Sequence, residues 1–291
     1  VASETTGLLF GVIGSPIGHS MSPALHRAAY AALDFPAEYD STEVGAGGLA
    51  EFLRSSPASR RGVSVTMPLK REAWLAASTR DHAAELTGAV NTLVRADGGE
   101  RLSGSNTDVA GIVGAVQGAG RREVGHVLII GAGATAASAV VAAADLGARS
   151  LTLAVRSPER AEGAVGLGRS LGLATTVRRL AEVAEVRADV VVSTIPGGQE
   201  LAVLPRASLV PGSLLLDVAY SPWPSALVTC GVAGGATVVH GLSMLVHQAA
   251  QQVRLFADLR GSAWSEVADR VTNAMFEVVG LPATGVVRAL P

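Results

Sequence analysis

Val127-Leu-Ile-Ile-Gly131-Ala-Gly133-Ala-Thr135-Ala136 is an apolar run that ends in a glycine turn and leads into alanine-rich sequence. The run His126 to Ile130 reads as a strand buried on both faces, and Thr135 to Leu146 reads as a helix ended by Gly147. Between them lies the spacing GxGxxA. The first glycine permits a tight turn, the second lets backbone N–H groups approach a pyrophosphate, and the small third residue lets helix and strand pack closely. A helix N-terminus then faces the phosphates with its positive dipole end. Many glycine-rich turns hold no ligand, but one placed between a strand and a helix points to a bound dinucleotide.

The same alternation continues outward. Leu151 to Val155, Asp189 to Ser193 and Leu214 to Asp217 read as further buried strands. Continuous apolar strands separated by helices imply a parallel sheet covered on both faces, an α/β arrangement. Upstream, Leu8 to Ile13 reads as a strand, and Ser22-Pro23 opens a helix to about Leu33, with Ser22 as N-cap. Gly62 to Thr66 is a short strand before Met67-Pro68. Val90 to Arg95 and Arg101 to Gly104 suggest a hairpin around Asp97-Gly98-Gly99. Gly241 to about Ala257 and Trp264 to Val278 read as helices. The pattern changes near Asp108 and again near Gly241. The expected organisation is therefore two domains: a discontinuous α/β domain from 1–108 plus 241–291, and a doubly wound, Rossmann-type domain over 109–240.

Composition narrows the function classes. The chain has 291 residues, 48% of them hydrophobic, which is enough for a sizeable core. Charged residues make up 16% and the net charge is −2, so no basic field invites nucleic acid. Apolar runs are shorter than a membrane span, and Val1 to Thr6 lacks the character of a secretory signal. One cysteine, Cys230, excludes an internal disulfide and fits a reducing cytoplasm. The histidines lack ligand spacing, so no metal is expected.

The cofactor type follows from the tip of the second strand, Ala154-Val155-Arg156-Ser157. An NAD enzyme places a carboxylate there for the ribose hydroxyls. Here Arg156 and Arg160 stand one turn apart and suit the paired hydrogen bonds of a 2′-phosphate. This favours NADP, although the two arginines could also be a solvated pair near Glu159 or Glu162.

Polar residues also recur in the first domain. Ser15, His19, Ser20 and Ser22 crowd one loop, for ligand binding or for turn and capping chemistry. Lys70 sits in a helix's first turn against the dipole, which hints at a task, though a solvated lysine reads the same way. Asn91 lies in an apolar stretch and needs a buried partner or a ligand. Asn106-Thr107-Asp108 could be a helix N-cap.

Taken together these segments resemble the shikimate dehydrogenase family. The matching runs are Gly14-Ser-Pro-Ile-Gly-His-Ser-Met-Ser-Pro23, Gly62-Val-Ser-Val-Thr-Met-Pro-Leu-Lys70 and Gly88-Ala-Val-Asn-Thr92. They continue with Gly104-Ser-Asn-Thr-Asp108, Asp217-Val-Ala-Tyr-Ser-Pro222 and Gly241-Leu-Ser-Met-Leu-Val-His-Gln248. All occur in the family's order. The resemblance implies NADPH-dependent, reversible reduction of 3-dehydroshikimate to shikimate, with Lys70 and Asp108 as the catalytic pair. Ser20 and Ser22 would bind the substrate carboxylate; Thr66, Asn91, Asp108 and Gln248 its ring hydroxyls; Tyr220 would line the pocket. Gly131, Ala132, Gly133, Ala134 and Thr135 would hold the pyrophosphate, with Arg156, Ser157 and Arg160 around the 2′-phosphate. Thr194 matches a later cofactor loop loosely, and Val218 and Gly241 would approach the nicotinamide. Two departures stand out: Val155-Arg156-Ser157 where the family often has Asn-Arg-Thr, and Ala134 where many members have a glycine nearby. An NAD-using quinate/shikimate dehydrogenase and a non-catalytic NADP-binding module are the alternatives. The first would carry an acidic strand tip, and the second would need no Lys70–Asp108 pair. Oligomeric state is not legible; a homodimer is the assembly to test.

Overall fold

The computed structural model describes residues 7–95, 101–199, 201–287 and 290. It divides into two compact units, Val1–Thr107 with Gln248–Gly280, and Asp108–His247 with Leu281–Pro291. The sequence boundary at 241 differs from this division, which falls inside a single helix. The tail also lies with the other unit: Val286 bridges to Val239, and Val287 donates to the carbonyl of Val238.

The first unit runs β1 (Leu8–Gly14), α1 (Ser22–Ala32), β2 (Ala37–Glu43), α2 (Leu49–Ser55), β3 (Gly62–Val65), α3 (Lys70–Ala76), β4 (Thr79–Arg80), α4 (His82–Thr87), β5 (Thr92–Arg95) and β6 (Leu102–Ser105). These strands form one mixed sheet in the order β2-β1-β3-β5-β6-β4. The β1–β2 and β1–β3 pairs are parallel, and β3–β5 and β5–β6 are antiparallel. The β5–β6 pair realises the expected hairpin, whose turn at Asp97-Gly98-Gly99 lies outside the described residues. β2 escapes sequence reading because it is an edge strand with charged and hydroxyl side chains, of which only Tyr39 is buried. Ile13, Val63, Val65, Leu69, Val90 and Leu93 centre the core on one face.

The second unit runs α5 (Asp108–Gly118), β7 (His126–Ile130), α6 (Ala134–Asp145), β8 (Ser150–Val155), α7 (Glu162–Ser170), β9 (Ala174–Arg179), β10 (Val190–Ser193), β11 (Leu214–Asp217), α8 (Ala226–Gly234) and β12 (Thr237–Val239). Its sheet is parallel throughout, in the order β12-β11-β10-β7-β8-β9. Counted from β7 this is the strand order 3-2-1-4-5-6 of a doubly wound dinucleotide fold. The order reverses between β7 and β10, so the crevice of such folds opens at their carboxyl ends. Leu128, Ile130, Val191 and Leu215 are fully buried, as continuous apolar strands under helices on both faces require. α6 presents Ala136, Ala139, Ala142 and Ala143 as buried contacts, and their small side chains let it lie close on the sheet.

α9 (Gly241–Phe256) carries the chain back into the first unit, followed by α10 (Ser262–Ser265) and α11 (Ala268–Val278). The helix expected over Trp264 to Val278 is thus broken around Glu266 and Val267. Within the first unit α11 packs on α1. Among the described residues no helix is long and apolar enough to cross a membrane.

Candidate active site

Each expected residue has a definite address. Ser20 sits in the loop after β1, its backbone N–H donating to the carbonyl of Ile17 at 3.0 Å. Ser22 was expected to cap α1; instead Met21 is the N-cap and Ser22 is the first helical residue, without a side-chain cap bond. Its hydroxyl is consequently released from capping duty. Ser22 is buried, its carbonyl accepting from His26 Nδ1 at 2.9 Å. A carbonyl can only accept, so Nδ1 carries a proton, and burial rather than this bond keeps the ring neutral. Burial pushes the His26 pKa down to about 3.

Thr66 follows β3, and its backbone N–H donates to Ile13. The ends of β1 and β3 come so close that a Cβ on Gly14 would meet Thr66 Cγ2 at 2.3 Å and the Met67 carbonyl oxygen at 2.7 Å. That approach sets the Ser15 to Ser22 loop beside Thr66. Lys70 is the first residue of α3, after the fully buried Leu69, and its backbone carbonyl accepts from Val90. The glycine-bounded Gly88 to Thr92 stretch is thereby tied to α3 and sets Asn91 relative to it.

Asn91 is 2% exposed, and the structure supplies the buried partners its surroundings demand. Its Oδ1 accepts from the Thr107 backbone N–H at 2.9 Å and from Thr92 Oγ1 at 2.8 Å. Its Nδ2 donates to Thr107 Oγ1 at 2.9 Å and to Gln248 Oε1 at 3.3 Å. Gln252, one turn beyond Gln248, accepts from Ser64 Oγ and donates to the Asn91 carbonyl and to Thr92 Oγ1. Sequence reading missed Ser64, Thr92, Thr107 and Gln252. Two glutamines four residues apart, Gln248 and Gln252, on one side of α9 (Gly241–Phe256) were the available signal. Asn106, read as part of an N-cap, does something else: it donates to Thr87 Oγ1 and, through its backbone, to Asp81. Asp81 is itself the N-cap of α4. Asp108 is buried and opens α5 as the first residue of the second unit.

In the second unit Gly131 has φ +121°, a conformation that a side chain disfavours, and a Cβ there would meet Thr194 Oγ1 at 2.3 Å. Thr194 in turn donates to the Ile130 carbonyl at 2.9 Å, so its role in this geometry is to shape the turn. Gly133 is the N-cap of α6, exposed, with no side-chain cap, and a Cβ there would meet nothing within 4 Å. The first N–H groups of a three-turn helix therefore face outward past Ala132, Gly133, Ala134 and Thr135 without a protein acceptor from the cap. Arg156 and Arg160 are exposed, and Ser157 is half-buried between them. Arg156 Nη2 donates to Gln199 Oε1, from the loop after β10, which sequence reading did not single out. No carboxylate occupies the tip of β8. Dinucleotide phosphates, including a 2′-phosphate, fit this donor set.

The ends of β11 and α9 meet at the remaining residues. Val218 donates its N–H to the Ser193 carbonyl at 3.0 Å. A Cβ on Gly241 would meet the Val218 oxygen at 2.5 Å and the Asp217 oxygen at 2.6 Å, so only glycine lets α9 start here. Tyr220 follows, half-buried, with burial raising its pKa. Asp217 accepts from Ser225 Oγ at 2.6 Å, and Ser225 caps α8. Burial pushes the Asp217 carboxyl above the usual carboxylate range. Asp217 and Ser225 line a cavity of about 260 Å³ bounded by Pro196, Gly197 and Leu227. That cavity holds none of the residues expected around the dinucleotide.

Fold and site together define an α/β protein of the nicotinamide-dinucleotide-binding class, with a separate polar, hydroxyl- and amide-rich unit. The comparisons are more specific. Residues 12–93 match the family model for the shikimate dehydrogenase substrate binding domain. A shikimate dehydrogenase (NADP(+)) from Moorella thermoacetica is 35% identical over 97% of this chain and 98% of its own length. The crystal structure of Mycobacterium tuberculosis shikimate dehydrogenase is 37% identical, covers 93% of this chain and 99% of that one, and superposes with a TM-score of 0.78. The Thermus thermophilus enzyme in complex with NADP(H) and shikimate is 27% identical, over 93% and 99%, with a TM-score of 0.74. The chain belongs to the shikimate dehydrogenase family.

Proposed function

We propose that this protein catalyses the reversible NADPH-dependent reduction of 3-dehydroshikimate to shikimate, within the pathway to the aromatic amino acids. The observation that carries this reading is Lys70 at the start of α3, tied through its carbonyl to the segment that holds the buried Asn91–Gln248 amide pair. A lysine ammonium working with hydroxyl-recognising amides would suit reduction of a ketone on a polyol ring. The named activity of its relatives and the ligands of the Thermus structure support the same reading.

The dinucleotide, when bound, supplies the hydride to the C3 ketone and takes it back in reverse. The pyrophosphate would lie on the α6 N-terminus at Gly131 to Thr135, with Arg156, Ser157 and Arg160 at the 2′-phosphate. Thr194, Val218 and Gly241 would flank the rest. Within the first unit Ser20 and Ser22 would donate to the substrate carboxylate. Thr66, Asn91, Gln248 and Asp108 would hold the ring hydroxyls, with Tyr220 lining the pocket. Lys70 binds the neutral ketone weakly and the developing alkoxide strongly, and gives that oxygen its proton. Asp108 would orient Lys70 and hold the neighbouring hydroxyl. On this reading the first unit is the substrate domain and the second the cofactor domain. A cytoplasmic homodimer, with its lone Cys230 reduced, completes the proposal; light scattering tests the assembly.

The direct test is absorbance at the NADPH band with 3-dehydroshikimate, run in parallel with NADH. Oxidation of NADPH with 3-dehydroshikimate, far faster than of NADH, is expected. No oxidation of either would remove the reading.

A further inference from the structure

We infer that Gln252 is a positioning residue for the substrate site, acting through a one-way hydrogen-bond relay that sets the amide orientations of Asn91 and Gln248. The inference rests on the function proposed above, which assigns Asn91 and Gln248 to the ring hydroxyls and gives Gln252, Ser64 and Tyr39 no task.

The direction of the relay is forced by backbone groups. The Asn91 carbonyl can only accept, so the Gln252 atom 3.1 Å from it is the amide nitrogen. The Thr107 backbone N–H can only donate, so the Asn91 atom 2.9 Å from it is the amide oxygen. With both amides oriented, each hydroxyl between them has one remaining choice. Ser64 Oγ lies 2.8 Å from Gln252 Oε1 and must donate to it. Ser64 therefore accepts from Tyr39, whose hydroxyl is 2.7 Å away. On the other side Gln252 Nε2 donates to Thr92 Oγ1 at 3.1 Å, so Thr92 passes its own proton to Asn91 Oδ1 at 2.8 Å. Asn91 Nδ2 then donates to Thr107 Oγ1 and to Gln248 Oε1. Gln248 is left with its oxygen turned toward Asn91 and its nitrogen on the opposite side of the amide.

Every member of this series is buried: Tyr39 at 2%, Ser64 at 4%, Asn91 at 2%, Thr92 at 0% and Gln252 at 2% exposure. Head-to-tail bonds in a low-dielectric interior polarise one another, and a flipped amide would place two acceptors or two donors face to face. The relay thus selects one donor–acceptor pattern at Asn91 and Gln248. A ring hydroxyl reads that pattern, since a site with a misdirected amide leaves a buried polar group unpaired when substrate binds.

The experiment compares wild type with Gln252→Met, which keeps length and removes the amide, and with Gln252→Glu. Steady-state kinetics should show the shikimate KM raised about 10-fold in Gln252→Met, the worth of roughly one hydrogen bond. The NADP KM should be unchanged and kcat changed far less than KM. Gln252→Glu can donate to the Asn91 carbonyl or to Thr92 only when protonated, so its shikimate KM should fall as pH is lowered from 9 to 6. The wild-type KM should show no such recovery. A structural role alone would lower Tm without moving shikimate KM apart from NADP KM, and that result would overturn the inference. Side-chain amide exchange of Asn91, followed by NMR, reads the relay without turnover: it should be slow in wild type and fast in Gln252→Met. Equal exchange in both would sink the relay. Slow wild-type exchange without 3-dehydroshikimate turnover would sink the proposed function instead.

Discussion

Lys70 and Arg156 are the two side chains whose removal separates chemistry from binding most cleanly. Lys70 interacts more strongly with an alkoxide than with a ketone, so Lys70→Ala should lower kcat by about 10²–10⁴ and spare the shikimate KM. A variant with near-normal kcat and a raised KM would make Lys70 a binding residue. Arg in place of Lys should rescue poorly, because a guanidinium keeps its proton. Arg156 offers charge-assisted bonds to a phosphate that NADH lacks. Arg156→Ala should raise the NADPH KM about 10- to 100-fold and leave NADH use nearly unchanged. Equal losses with both cofactors would show that Arg156 does not read the phosphate. Both residues stand out in the local sequence, because each draws attention by its position at one strand tip or helix start. Gln252 was not, because its partner Ser64 lies 188 residues away. No local pattern links a serine in a short strand to a glutamine in a helix of another segment.

The β7–turn–α6 element contains a paired comparison. Gly131 is at φ +121° with Thr194 Oγ1 at 2.3 Å from an added Cβ, whereas a Cβ on Gly133 meets nothing within 4 Å. Gly131→Ala should therefore lower Tm and weaken NADP binding together. Gly133→Ala should keep the wild-type Tm and lose NADP affinity alone, because the methyl stands where a pyrophosphate would approach. Thermal melts and NADP titration of the two variants check this, and tight NADP binding by Gly133→Ala would count against the assigned cradle. Strands β7, β10 and β11 were readable as buried apolar runs. Strand β9, with Arg178 and Arg179 and an exposed face at the sheet edge, was not, and β12 has only three residues. Edge and short strands lack the apolar signal because they bury little.

Two buried histidines, His26 and His240, and the half-buried His247 couple the stability of the molecule to pH. Burial lowers the pKa of His26 to about 3, and of His240 and His247 to about 4, each from 6.5. A depressed folded-state value means that the unfolded chain binds more protons between those limits. The stability these groups hold is complete above pH 6.5 and is lost as pH falls toward 4 and then 3. For His26 alone the loss between pH 7 and pH 5 is about 2 kcal/mol. Urea unfolding at pH 7 and pH 5 should show the decline, and His26→Phe should flatten it; a slope unchanged by that variant would mean that His26 does not titrate on unfolding. At this same scale the division of information is clear. Apolar periodicity, the GxGxxA turn and the carboxylate-free strand tip are local, and they carried the α/β class, the dinucleotide and the choice of NADP. Where the units divide inside α9, how the tail joins the second unit, and which atom of the Asn91 amide meets which partner depend on long-range packing. Contacts made between distant segments leave no periodic trace along a chain, so they emerge only once the sheet orders are set.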